Sequence, residues 1–157
     1  RYGHVLACTI CVRQADWEEA KSDYLQIGSG AVTIVHSSND QIAEVYRGAN
    51  VALLFVEPQE YWKFAMPFKL FEYLGHGKPV IATEGTATGE FVATHQVGWV
   101  IPYKADAIGR LMIHISTNPK ELQQRVQNAR SVASRNTWLS RAEQVSQALS
   151  TQRGDVR

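Results

Sequence analysis

Apolar residues follow two alternating rhythms along this chain: short unbroken runs, and stretches where they recur every three or four positions. The unbroken runs predict strands buried on both faces, and the periodic stretches predict helices. HVLACTICV (4–12) is the first run, followed by AVTIVH (31–36), VALLFVE (51–57), KPVIAT (78–83) and GWVIP (98–102). Between the first two, Asp16 with Glu19 three residues on predicts a capped helix that runs to about Gln26 and stops at Gly28-Ser29-Gly30. Ser38 and Gln41 have capping-box spacing ahead of Ile42, Val45, Tyr46 and Ala49, which share one helical face.

A proline-led, glycine-closed helix is predicted over 67–75, and a short one from about Glu90 after the EGTATG loop. The remainder reads as helical. Ile108, Leu111, Met112 and Ile115 line one face, and Asn118-Pro119-Lys120-Glu121 opens a helix carrying Leu122, Val126, Ala129 and Ala133. Asn136 or Thr137 caps a last helix with Trp138, Ala142, Val145 and Leu149 expected to face inward. Strands alternating with helices predict an α/β fold. It is a doubly wound, mainly parallel, Rossmann-like sheet of about five strands, with helices on both faces and a helical C-terminus. Residues 1–150 fit one domain, and TQRGDVR (151–157) is expected to fray.

Composition removes several classes of function. With 45% hydrophobic and 20% charged residues the chain is not disordered. A net charge of +1 lacks the clustered basic excess that nucleic acid demands. No apolar run approaches the roughly 20 residues of a membrane span. The first residue is Arg1 rather than Met, which suggests a piece of something longer. Cys8 and Cys11 read C-T-I-C inside a strand pattern, where positions three apart point to opposite faces. Neither a redox pair nor a zinc site is expected there. A redox pair opens a helix, and structural zinc needs two more ligands. Both are expected to be reduced core residues of a cytoplasmic protein.

In parallel α/β sheets, ligands sit beyond the carboxyl ends of the strands. The loop after the third run leads into MPFKLFEYLGHGKPVIA (66–82). A helix start there, at Pro67, offers the backbone N–H groups of Met66 and Phe68, with a partial positive charge that suits phosphate. Lys69 adds a full positive charge, the wrong sign for the helix but the right one for an anion. Glu72 lies one turn on, beside Lys69, and a carboxylate accepts two hydrogen bonds from a vicinal diol such as ribose. Phosphate and diol grips together suit a nucleotide. Spacing alone favours a plain surface ion pair contributing about 0.3 kcal/mol, since such helix pairs are common.

Pro67, Lys69, Glu72, Tyr73, Leu74, Gly77, Lys78, Pro79, Val80, Ile81 and Ala82 follow a recurrent pattern. The segment resembles the signature of retaining nucleotide-sugar glycosyltransferases of the GT-B fold (glycosyl transferases group 1 type), specifically their C-terminal donor-binding domain. IAEVYRGANVALLF and GEFVATHQVGWVIPYKADAIGRLM also resemble that family in order, over about residues 30–149. The resemblance implies that Glu72 binds the donor ribose, and that Lys69 with the backbone at Met66–Phe68 faces the diphosphate. It places the loop at His36, Ser37 and Ser38 against the base. Glu90 and the EGTATG loop come near the sugar phosphate, unless Glu90 only starts its helix. The donor is a UDP- or GDP-sugar, a substrate, so no cofactor is implied, and no metal either.

Two departures matter. Many relatives carry a glutamate eight residues before the ribose glutamate; here Phe64 stands there, and Glu57 or Glu60 are weak substitutes. The family's first strand and helix also have no counterpart, so either five strands close up in the order 2-1-3-4-5 or another segment supplies that strand. The resemblance implies a hexosyltransferase acting on an acceptor hydroxyl, with an N-terminal acceptor-binding domain elsewhere in the protein. Membrane contact, if any, comes through that other half, and this chain alone is expected to be inactive. Two other readings stay open. One is a non-catalytic interaction domain on the same scaffold. The other is an NAD-type dinucleotide module, although GSGAVT precedes a strand instead of following one.

Overall fold

The structure, a computed structural model, describes residues 7–25, 32–36 and 42–154. Strands β1 (Cys8–Cys11) and β2 (Val32–Val35) flank helix α1 (Gln14–Leu25). Helix α2 (Ile42–Gly48) leads to β3 (Ala52–Leu54), a short 3-10 helix (Glu60–Lys63) and α3 (Phe68–Gly75). Then follow β4 (Val80–Thr83), α4 (Ala87–His95), β5 (Gly98–Ile101), α5 (Ala105–Thr117), α6 (Pro119–Arg135) and α7 (Trp138–Gly154). Every strand pairing is parallel, as the alternation of runs and periodic stretches predicts.

The strands form two sheets rather than one. β1 pairs with β2, Cys8 facing Val32 and Cys11 facing Val35. β3, β4 and β5 pair in that order, with Ala52 beside Val80 and Val80 beside Gly98. A continuous 2-1-3-4-5 sheet is therefore not formed among the described residues. β1 also alternates between half-buried and exposed positions, which is not the profile of a strand buried on both faces. Cys11 is exposed and Cys8 only half-buried, so neither is the core residue expected.

β4 is the buried centre, with all four residues inaccessible. Its alternation sorts the core into two layers. Val80 and Ala82 pack with Leu70 and Leu74 of α3, Val92 of α4, and Ala129 and Val132 of α6. Ile81 points the other way, onto Trp99, Leu111 and Ile115. Gly98 permits this closeness: a Cβ there would meet the Val80 backbone. Gly77 ends α3 in the left-handed region at φ +66°, where a side chain would also meet Arg130.

Several local expectations shift. α1 starts at Gln14, ahead of Asp16, whose carboxylate binds Arg13 instead of capping. α4 starts at Ala87 rather than near Glu90, because the Thr86 hydroxyl caps it by accepting from Gly89 N–H. Pro119 opens α6 as predicted, but the Asn118 amide turns back to the His114 carbonyl and gives no cap. Thr137 caps α7 by accepting from Ser140 N–H. That helix continues through Gly154, into the stretch expected to fray. Val145 and Leu149 are each 60% exposed rather than inward.

Candidate functional site

The loop after β3 is held to the sheet by Val56 N–H, which donates to the buried Thr83 hydroxyl at the end of β4. It passes through the 3-10 helix and delivers Pro67 in an extended conformation as the cap residue of α3. Leu70 N–H bonds back to Pro67 carbonyl. Leu70 and Leu74 anchor the inner face, which turns Lys69 and Glu72 outward on one side.

Lys69 Nζ lies 2.9 Å from Glu72 Oε2. The Tyr46 hydroxyl, from α2, donates to Glu72 Oε1 at 2.6 Å. Glu72 keeps 23% of its side chain exposed and Lys69 52%, so the carboxylate is partnered but still reaches solvent. Partial burial works to raise the Glu72 carboxyl, yet hydrogen bonds from Lys69 and Tyr46 outweigh it and hold it below its ordinary value. Tyr46 is itself buried, its ring stacked on His76 at 4.2 Å and edge-on to Tyr73 at 5.8 Å. Burial first, and then the bond to Glu72, push its phenol upward, so it remains a donor.

Of the other sequence candidates, Met66 and Phe68 are exposed beside Pro67, at the start of α3. His36 follows β2, exposed, with Nδ1 3.0 Å from the Val12 carbonyl and its ring 5.7 Å from Trp17. These contacts belong to the β1–β2 half, so the structure does not join His36 to the Lys69–Glu72 pair. Ser37 and Ser38 lie outside the described residues. Phe64 is 74% exposed against Tyr61, and Glu60 is paired with Lys63 at 2.6 Å.

An open cleft of about 520 Å³ lies at the carboxyl ends of β4 and β5. Lys63, Glu84, Gly85, Thr86 and Glu90 line it. Glu90 sits in the first turn of α4 and also faces this cleft. Tyr46 and Lys63 were not singled out as site residues from the sequence. The signal for Tyr46 was a hydroxyl on a helix face predicted to be buried, which requires a partner. Among the described residues there is no group of three or more His, Cys, Asp or Glu fit to hold a metal. Nor is any described helix long and apolar enough to cross a membrane.

Residues 55–146, more than half of the chain, match the family model described as glucosyltransferase 3-like, C-terminal domain. The chain belongs to that family. Among solved structures, the crystal structure of WaaG, a glycosyltransferase involved in lipopolysaccharide biosynthesis, is similar with a TM-score of 0.60 and 21% identity. The likeness covers 85% of this chain and 35% of that one, so this chain spans about a third of WaaG's length. At that identity the likeness speaks for the fold: parallel strands flanked by helices, as in the Rossmann-like halves of GT-B enzymes. No curated protein matches the sequence. In this glucosyltransferase 3-like domain the matched segment contains Lys69, Glu72 and the cleft, whereas Tyr46 and the β1–β2 half precede it.

Proposed function

We propose that this domain binds the nucleoside diphosphate of a UDP- or GDP-sugar within a longer hexosyltransferase that passes the sugar to an acceptor hydroxyl. The observation that carries the proposal is the Lys69–Glu72 pair at the start of α3, inside the segment that matches the glycosyltransferase family. Glu72 offers two acceptor oxygens to the ribose diol. Lys69 and the backbone at Met66, Pro67 and Phe68 face the diphosphate and stabilise it as it departs. Neutralisation by a helix start and a lysine asks for no metal. The nucleotide-sugar is consumed as a substrate, so no separate cofactor enters the scheme. In this scheme the base is read by His36, just past β2, and by Ser37 next to it in the sequence.

An N-terminal domain supplies the acceptor site and any general base, and nucleic acid has no part in the scheme. The protein works in the cytoplasm, and any contact with a membrane comes through that other half. UDP or GDP should raise the melting temperature of the chain, NAD should not, and Glu72→Ala should abolish the protection. Nucleotide affinity unchanged by Glu72→Ala defeats the ribose assignment. The 157-residue chain alone should turn over no donor, and measurable transfer by it would contradict the division of labour.

A further inference from the structure

We propose that Tyr46 is a positioning residue for the nucleoside, its hydroxyl fixing the Glu72 carboxylate in the orientation that receives the two ribose oxygens. The proposal rests on the ribose reading of Glu72. A carboxylate offers about four acceptor positions over its two oxygens. Tyr46 takes one on Oε1 at 2.6 Å and Lys69 one on Oε2 at 2.9 Å. One position per oxygen remains, the number a vicinal diol needs.

The two donors differ in rigidity. Lys69 hangs on a flexible stem, half exposed. Tyr46 is 8% exposed, and His76 and Tyr73 hold its ring from two directions. Its hydroxyl is therefore a fixed point, placed by the docking of α2 against α3, and it orients Glu72 before ligand arrives. A glutamate held in advance spares the rotamer entropy that a free one loses on binding. The same bond makes two neighbouring helices share one acceptor, so nucleoside affinity depends on how α2 sits.

The test is titration calorimetry on the full-length protein with UDP and 2′-deoxy-UDP, and with GDP and 2′-deoxy-GDP. Wild type should prefer the ribonucleotide of its own base by about tenfold, the size of one charge-assisted hydrogen bond. Tyr46→Phe keeps the ring and its contacts with His76 and Tyr73. It should lose most of that preference, with affinity for the deoxynucleotide, which keeps the 3′-hydroxyl alone, falling less than affinity for the ribonucleotide. In a Glu72→Gln background, Tyr46→Phe should do nothing further to the preference. A Tyr46→Phe protein that retains the wild-type preference overturns the positioning role and leaves the ribose reading intact. Equal weakening toward both sugars also overturns it, because that is what a packing role alone produces. No preference in wild type overturns the ribose reading, and the positioning role with it.

Discussion

β4 and β1 are both four-residue parallel strands drawn from apolar runs, yet they live in different surroundings. Every residue of β4 is inaccessible, with β3 and β5 on its two edges and helix layers on both faces. Among the described residues β1 pairs with β2 alone, and it alternates between half-buried and exposed. Hydrophobic content therefore does not distinguish an interior strand from a peripheral one. What does is the number of neighbours that bond its edges and cover its faces. The contrast also divides the site, since Lys69 and Glu72 stand on the well-packed half while His36 belongs to the other.

Substitution should separate the halves most sharply. Leu74→Ala empties a fully buried position facing β4 and should cost about 3 kcal/mol in urea unfolding. Ile10→Ala, at a half-buried position of β1, should cost only about 1 kcal/mol. Equal costs would erase the distinction.

Acid offers a smaller probe. The Glu121 carboxyl is held below its ordinary value of 4.5, first by the hydrogen bond with His114, against the upward pull of burial and with help from Trp99 and Arg125. Glu72 is held below the same value, although partial burial pulls upward, by Lys69 and Tyr46. Both groups bind protons more readily once unfolded. Their contribution to stability is complete above 4.5 and disappears as pH falls through the lower folded values. Melting temperature should therefore be flat from about pH 7 to about pH 5 and fall below that. Glu121→Gln should flatten part of the acid limb, and an unchanged limb in that variant would exclude Glu121 from it. The gentlest probe is alkylation: Cys11, exposed, should react before Cys8, whose thiol is pushed up by burial. The reverse order would mean that the alternation along β1 is misplaced.

Much of the fold was legible because it is local. Every apolar run from residue 51 onward contains a strand, and each periodic stretch described became a helix. The one-turn spacing of Lys69 and Glu72 was enough to predict that they adjoin. The misses fall where a side chain had a choice of partners. Asp16 took Arg13, and the Asn118 amide took the His114 carbonyl, where capping alone had been expected of both.

The sequence by itself determined the order of the elements, their parallel sense and the adjacency of Lys69 and Glu72. Each follows from unbroken apolar runs alternating with stretches of 3.6-residue period, a pattern that neighbours in the chain impose on one another. Only the tertiary structure decided that the five described strands form two sheets, and that Phe64 faces solvent. It alone brought Tyr46 to Glu72 across 26 residues. Those outcomes depend on which surfaces dock, and docking is set by shape and unsatisfied polar groups summed over distant segments, to which no local period gives access.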